Sequence, residues 1–148
     1  MPGTTILQAF KRKLSKSSEI IFIKDIEDLK KIKKDDLCIV VIGESPYAEF
    51  YGDRVTPQID EEDLFLFNQL IKRKPKIVTI LIIGRPVDLK DILENSSALV
   101  SAWLPGTEGE GVTDVLLGEY NFEGKLSFSW KLKNDDKAIF PFGFGLRY

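Results

Sequence analysis

The sequence predicts an α/β fold: a mostly parallel open sheet with helices on both faces, a flavodoxin-like sandwich. Three observations point there. Residues 37–43 (LCIVVIG), 76–84 (KIVTILIIG) and 98–104 (ALVSAWL) are continuous apolar runs rich in β-branched residues, as in strands buried on both faces. Each run ends in a loop of glycine, proline and acidic residues. A segment of helical periodicity follows each loop, and strand-loop-helix-strand order is that of a parallel sheet.

The elements follow from local patterns. Residues 4–16 (TTILQAFKRKLSK) place Ile6, Leu7, Phe10 and Leu14 at helical spacing behind a threonine N-cap. IIFIKD then reads as a short apolar strand, and IEDLKKIKK as one or two helical turns before the first buried strand. Asp60 is placed to cap EEDLFLFNQLIKRK, with acids in its first turn and bases in its last, matching the helix dipole, and Pro75 stops it. After the second strand, GRPVDLKDILENSS reads as a turn and a short helix. After the third, PGTEGEG leads into a helix over VTDVLLGEY. The last strand, GKLSFSW, alternates as an antiparallel edge strand does.

Composition narrows the chemistry. At 148 residues the chain has the size of one domain able to bury a core without disulfides. A net charge of −2 with 30% charged residues fits neither disorder nor a basic nucleic-acid binder. Cys38 lies inside an apolar strand and reads as a buried thiol. Histidine is absent, which excludes a serine-histidine triad or a histidine-based zinc site within these residues. No cofactor and no metal are expected. No run approaches the roughly 20 apolar residues of a membrane span, and the first residues do not read as a signal peptide, so the expectation is a soluble chain, cytoplasmic if its start is natural.

In an open α/β sheet, ligands bind beyond the carboxyl ends of the strands. That rule selects the loops GESPYAEFYGD (43–53), GRPVD (84–88) and PGTEGEG (105–111) as neighbours on one rim. PGTEGEG fits neither a dinucleotide fingerprint nor a P-loop, and Glu108 and Glu110 would repel a phosphate, so a turn allowing close backbone packing is the better reading. A flavodoxin-like nucleotide binder is thus a weak third candidate. Arg85 can fork onto a carboxylate as a ligand contact or as a brace for another loop. Trp103 and Trp130 read as packing. The first loop carries Glu44, Glu49 and Asp53, and such rim carboxylates are usually solvated or capping. Tyr47 and Tyr51 flank Glu49, however, and partial burial of a carboxyl against aromatic rings suits a general acid.

In order along the chain, GTTIL (3–7), VVIGESPYAEFYGD (40–53), GRP (84–86), ALVSAWLPGTEGEGVTDVLLGEYNFEGKLSFSW (98–130) and FPFGFGLRY (140–148) resemble the C-terminal α/β domain of family 3 glycoside hydrolases, the β-glucosidases and β-glucan exohydrolases. The resemblance implies a retaining mechanism with an aspartate nucleophile on a separate (β/α)8 barrel and an acid/base glutamate from this domain. On this chain that glutamate matches Glu49. Glu44 would brace the loop and Tyr47 and Asp53 would shape it, with Arg85 and Glu108 as further loop-shaping or substrate-proximal residues.

The resemblance also sets limits. Residues 1–148 read as one such domain, incomplete at the N-terminus, without the barrel and without a first strand that carries a sugar-stacking tryptophan. A recombinant piece, a split gene and a truncated gene all fit. The isolated chain is expected to be inactive, and to meet a β-glucoside or β-glucan only together with a barrel domain. Loss of an internal strand would leave an apolar groove, expected to be covered by a second copy or a partner chain. The rival reading is a non-catalytic association or carbohydrate-binding module.

Overall fold

A computed structural model describes residues 3–14, 18–133 and 135–148. The elements are α1 (Ile6–Lys13), β1 (Leu37–Gly43), α2 (Glu61–Ile71), β2 (Lys76–Ile82), α3 (Lys90–Asn95), β3 (Ala98–Ser101), α4 (Gly109–Leu116), β4 (Trp130–Lys131) and β5 (Ala138–Phe140). Two 3₁₀ turns, Ile26–Lys31 and Glu49–Gly52, complete them.

The first three strands form a parallel sheet in the order β1-β2-β3, which is the α/β architecture expected. Leu37 pairs with Lys76 and Gly43 with Ile82, while Val78 pairs with Ala98 and Leu81 with Ser101. This register brings the carboxyl ends of the strands to one rim. Cys38, Val40 and Ile42 point to the same face as Ile77 and Leu81, and there they join Phe67 and Leu70 of α2, Ile92 of α3 and Trp130 in the main core. On the opposite face Ile80 and Val100 are buried. Val78 lines a cavity on that side together with Leu7 and Phe10 of α1 and with Leu116 and Leu117 at the end of α4, and α1 packs on α4.

Thr5 caps α1 through a capping box with Gln8, each side chain accepting from the other residue's backbone N–H at 3.2 and 2.9 Å. The expected helix over 4–16 is thus shorter, and residues 15 and 16 lie outside the described residues. Gly109 opens α4 where the chain passes against α1: its N–H donates to the Thr4 carbonyl at 2.9 Å, and a Cβ at this position would lie 2.5 Å from that oxygen. The glycine-rich turn therefore serves close backbone packing.

Three local expectations are corrected. IIFIKD forms no strand, since nothing among the described residues pairs with it. GKLSFSW is irregular except at its end, where Trp130–Lys131 pairs antiparallel with Ala138–Phe140 in a separate two-stranded sheet and not at the edge of the parallel one. The alternation in GKLSFSW is met by side-chain packing instead, with Leu126 and Phe128 half-buried on the core. Last, β1 is buried on one face only: Leu37, Ile39 and Val41 are 59, 37 and 44% exposed because they line an open cavity, shared with Leu7 and Phe10 of α1, and, among the described residues, no helix is packed directly on them. Asp60 stands at the N-cap of α2 as expected, yet its carboxylate accepts from Ser45 Oγ at 2.5 Å and makes no cap bond.

Candidate functional site

The loop after β1 begins with its strand end tied down. Gly43 N–H donates to the Asp63 carboxylate at 3.0 Å, and the Gly43 carbonyl accepts from Asp60 N–H at 3.0 Å, so the N-terminus of α2 closes the end of β1. Burial pushes the Asp63 carboxyl above the usual carboxylate range, helped by Asp60 and Glu62, although the Gly43 bond acts the other way. Glu44 N–H returns to the sheet, donating to the Ile82 carbonyl at 3.2 Å.

From Glu44 onward one guanidinium organises the loop. Arg85, on the turn after β2, donates from Nε and Nη2 to Glu44 Oε1 at 3.1 and 2.9 Å, and from Nη1 to the Gly52 carbonyl. The Glu44 side chain is 5% exposed and that of Arg85 23%. The hydrogen bond and charge of Glu44 hold the Arg85 guanidinium above even its ordinary range, so it is always a cation. The same group sits 4.3 Å from the centre of the Tyr47 ring, a cation–π contact. Gly52 is buried under that ring, where a Cβ would overlap the Tyr47 side chain. A Cβ on Gly84 would meet the Tyr47 hydroxyl and Leu104 at 3.7 Å each, so the loops after β1 and β2 meet at Tyr47.

Between these anchors the chain makes the 3₁₀ turn Glu49–Gly52, with Tyr51 N–H donating to the Ala48 carbonyl and Asp53 N–H to the Phe50 carbonyl. Glu49 opens the turn at φ +43°, the left-handed region that a residue with a Cβ enters at a cost. It is exposed, as are Phe50 and Tyr51. The expected packing of Tyr47 and Tyr51 around Glu49 is not found: Tyr47 is turned onto Arg85 and Tyr51 points to solvent. Glu49 stands at the tip of a loop whose two ends are held.

Beside the loop lies a cleft of about 380 Å³ lined by Glu44, Ser45, Tyr47, Tyr51, Arg54 and Asp60. Glu44 Oε2 is buried there with no hydrogen-bond partner among the described residues. Sequence reasoning named Glu44 and Tyr47 but missed Ser45, Arg54 and Asp60 as neighbours. Their only signal was nearness to the rim loop. Asp53 ends the turn, its N–H bonded to Phe50. Glu108 is elsewhere: it stands at the N-cap of α4, bridged to Thr4, with its carboxylate accepting from Thr107 Oγ1 at 3.2 Å. Trp103 and Trp130 pack on each other and on Phe128, and Trp130 Nε1 donates to the Val87 carbonyl at 2.9 Å, so both are structural. No group of acids suited to a metal ion occurs among the described residues.

The parallel α/β domain thus braces an acid- and tyrosine-rich loop on its carboxyl rim and leaves the Glu49 side chain exposed. The chain belongs to the glycosyl hydrolase family 3 C-terminal domain family, whose model matches residues 2–148. It is 31% identical over 133 residues to the lysosomal beta glucosidase of Dictyostelium discoideum, covering 78% of this chain and 16% of that protein. It is 34% identical over 127 residues to the beta-glucosidase of Kluyveromyces marxianus, covering 80% of this chain and 15% of that one. Among solved structures, the exo-1,3/1,4-beta-glucanase from a Pseudoalteromonas species superposes with a TM-score of 0.72 at 35% identity, over 97% of this chain and 20% of its own. The chain thus spans about a sixth of these curated relatives.

Proposed function

We propose that this domain supplies the acid/base loop of a retaining β-glucosidase or exo-β-glucanase, with Glu49 as the acid/base and the rest of the site on a (β/α)8 barrel outside these 148 residues. The observation that carries this reading is the contrast within the loop. Glu44, Tyr47 and Gly52 are clamped by one arginine, while Glu49 is held at the tip in a strained backbone conformation with its side chain exposed. Strain of that kind persists where the surroundings impose it and is concentrated at working sites.

In the proposed reaction the barrel's aspartate attacks the anomeric carbon while the Glu49 carboxylic acid gives its proton to the departing glycosidic oxygen. The resulting glycosyl-enzyme is then hydrolysed by a water that loses its proton to the Glu49 carboxylate, which restores both groups. Glu44 and Arg85 take no part in proton transfer. Their role is to fix the height and direction of the tip, because a misplaced acid/base loses much of its effect.

The test is to add a separately produced family barrel domain to this chain and follow p-nitrophenyl β-glucoside hydrolysis. Turnover is expected with the unaltered chain, and Glu49→Gln should lower it by about 10²- to 10⁴-fold. Azide, a nucleophile that needs no general base, should restore part of the rate in the variant. Unchanged turnover in Glu49→Gln would refute the assignment, and no turnover with the unaltered chain would favour a non-catalytic module.

A further inference from the structure

Asp60 stands where a helix is ordinarily capped by a side chain that accepts from an N–H two or three residues on. Its carbonyl does open α2, accepting from Leu64 N–H at 3.0 Å, but its carboxylate makes no cap bond. The carboxylate turns back to the loop after β1 and accepts from Ser45 Oγ at 2.5 Å, a distance typical of a hydroxyl on a charged oxygen. The Asp60 N–H donates to the Gly43 carbonyl at 3.0 Å, so one residue holds two points of the loop's entry. That entry has few other supports. From Ser45 to Ala48 no backbone N–H has a hydrogen-bond partner among the described residues, and the Ala48 carbonyl bonds only to Tyr51 N–H within the 3₁₀ turn. Pro46 fixes its own φ and restricts Ser45 to extended backbone, so the direction imposed at Ser45 is carried forward to Tyr47 and to the extended Ala48. Glu49, at φ +43°, follows directly.

We propose that Asp60 is a positioning residue for Glu49, acting through Ser45 to fix the entry limb of the loop as Arg85 fixes its exit at Gly52. The inference rests on the acid/base reading of Glu49 given above. Arg85 reaches Glu44, the Tyr47 ring and the Gly52 carbonyl. The Asp60 tether is therefore the one side-chain hydrogen bond to the stretch from Ser45 to Ala48 among the described residues. An acid must give its proton along the line to the departing oxygen, and a small error of placement removes much of the rate. Asp60 itself moves no proton, since its carboxylate is committed to the Ser45 hydroxyl, four positions before the acid. The diversion deprives α2 of a cap bond, which is what an aspartate serving only the helix would supply at this position.

Two variants separate the tether from the helix. Asp60→Ala removes the acceptor without removing a cap bond, because none is made, and Ser45→Ala removes the donor without touching α2. Asp60→Asn keeps an acceptor and should behave nearly as the unaltered chain. In the chain alone, NMR order parameters of the Tyr47, Ala48 and Glu49 amides should lie near the rigid value of about 0.85 and fall below about 0.6 in both alanine variants. The amide of Gly43, bonded to Asp63, should stay rigid and so report an intact strand end. With a separately produced family barrel domain added, kcat/KM is compared for phenyl and p-nitrophenyl β-glucosides. Phenolate is the poorer leaving group and depends more on protonation. Both alanine variants should therefore lose about tenfold or more on the phenyl glucoside and less than about threefold on the p-nitrophenyl one. In a Glu49→Gln background, with no acid left to position, neither should cause a further loss. Unchanged order parameters, equal losses on the two glucosides, or an undiminished loss in the Glu49→Gln background would each overturn the proposal while leaving Glu49 in its role. Unchanged turnover in Glu49→Gln alone, or no turnover with the unaltered chain, would overturn the acid/base reading and this inference with it.

Discussion

Replacing Arg85 with methionine tests whether one guanidinium braces the rim. Methionine keeps the aliphatic stem and removes all three donors. Glu44, 5% exposed, then loses both hydrogen bonds to Oε1, while Oε2 already has none among the described residues, so a buried carboxylate is left bare of these partners. Breaking a buried pair by deleting one partner costs about 3–5 kcal/mol. Arg85 is 23% exposed, so water recovers part of this, which places the expected loss near the lower end at about 3 kcal/mol. For a domain of this size that lowers the melting temperature by about 6–12 °C. Thermal and guanidinium unfolding followed by far-ultraviolet circular dichroism measures it. In a Glu44→Gln background, where no buried charge is orphaned, the same Arg85→Met change should cost less than half as much. A melting shift below about 2 °C, or additive effects of the two substitutions, would refute the brace.

Two further outcomes follow from the same geometry. Trp130→Phe keeps most of the ring's packing but removes the Nε1 donor to Val87, leaving a buried carbonyl unpaired, and should cost about 1–3 kcal/mol in the same unfolding assays. Asp63 titrates above the usual carboxylate range in the folded chain, so folding favours its protonated form. Its contribution is therefore full below the unfolded value near 3.9 and is lost as pH rises through the folded one. Asp63→Asn keeps an acceptor for Gly43 N–H and should flatten that loss, so stability curves from about pH 3 to 7 for the two proteins should meet at the acid end and diverge above it. A constant offset would contradict the assignment.

The parallel sheet was legible because buried strands leave a strong trace: Ile77, Thr79, Ile80 and Leu81 are each nearly or fully buried, as their apolar setting implied. Local signals also sufficed for the threonine cap of α1 and for the glycine-rich turn before α4. The failures share a cause. IIFIKD has strand composition but no partner among the described residues, and a strand exists only as a pair. GKLSFSW alternates in sequence, yet its apolar side chains pack on the core without a ladder except at Trp130. In GKLSFSW local preference was right about burial, whereas in IIFIKD Ile21 and Phe22 are exposed as well as unpaired among the described residues.

At the rim, residue types and order along the chain pointed to the loop from Gly43 to Asp53 and to Arg85, and the structure joins Glu44 of that loop to Arg85. The sequence alone also determined the family, because the matching words extend over nearly all of it. Only the tertiary structure decided that Arg85 turns to Glu44 and Gly52, that Tyr47 goes to the guanidinium and not to Glu49, and that Glu108 lies away at Thr4. These choices depend on contacts between positions far apart in sequence, 33 and 41 residues for the two partners of Arg85, which only the folded chain brings together. The open edge of β1 belongs to the same kind: a run of seven residues states that a strand will form, and only its neighbours state on which side it is left unpaired.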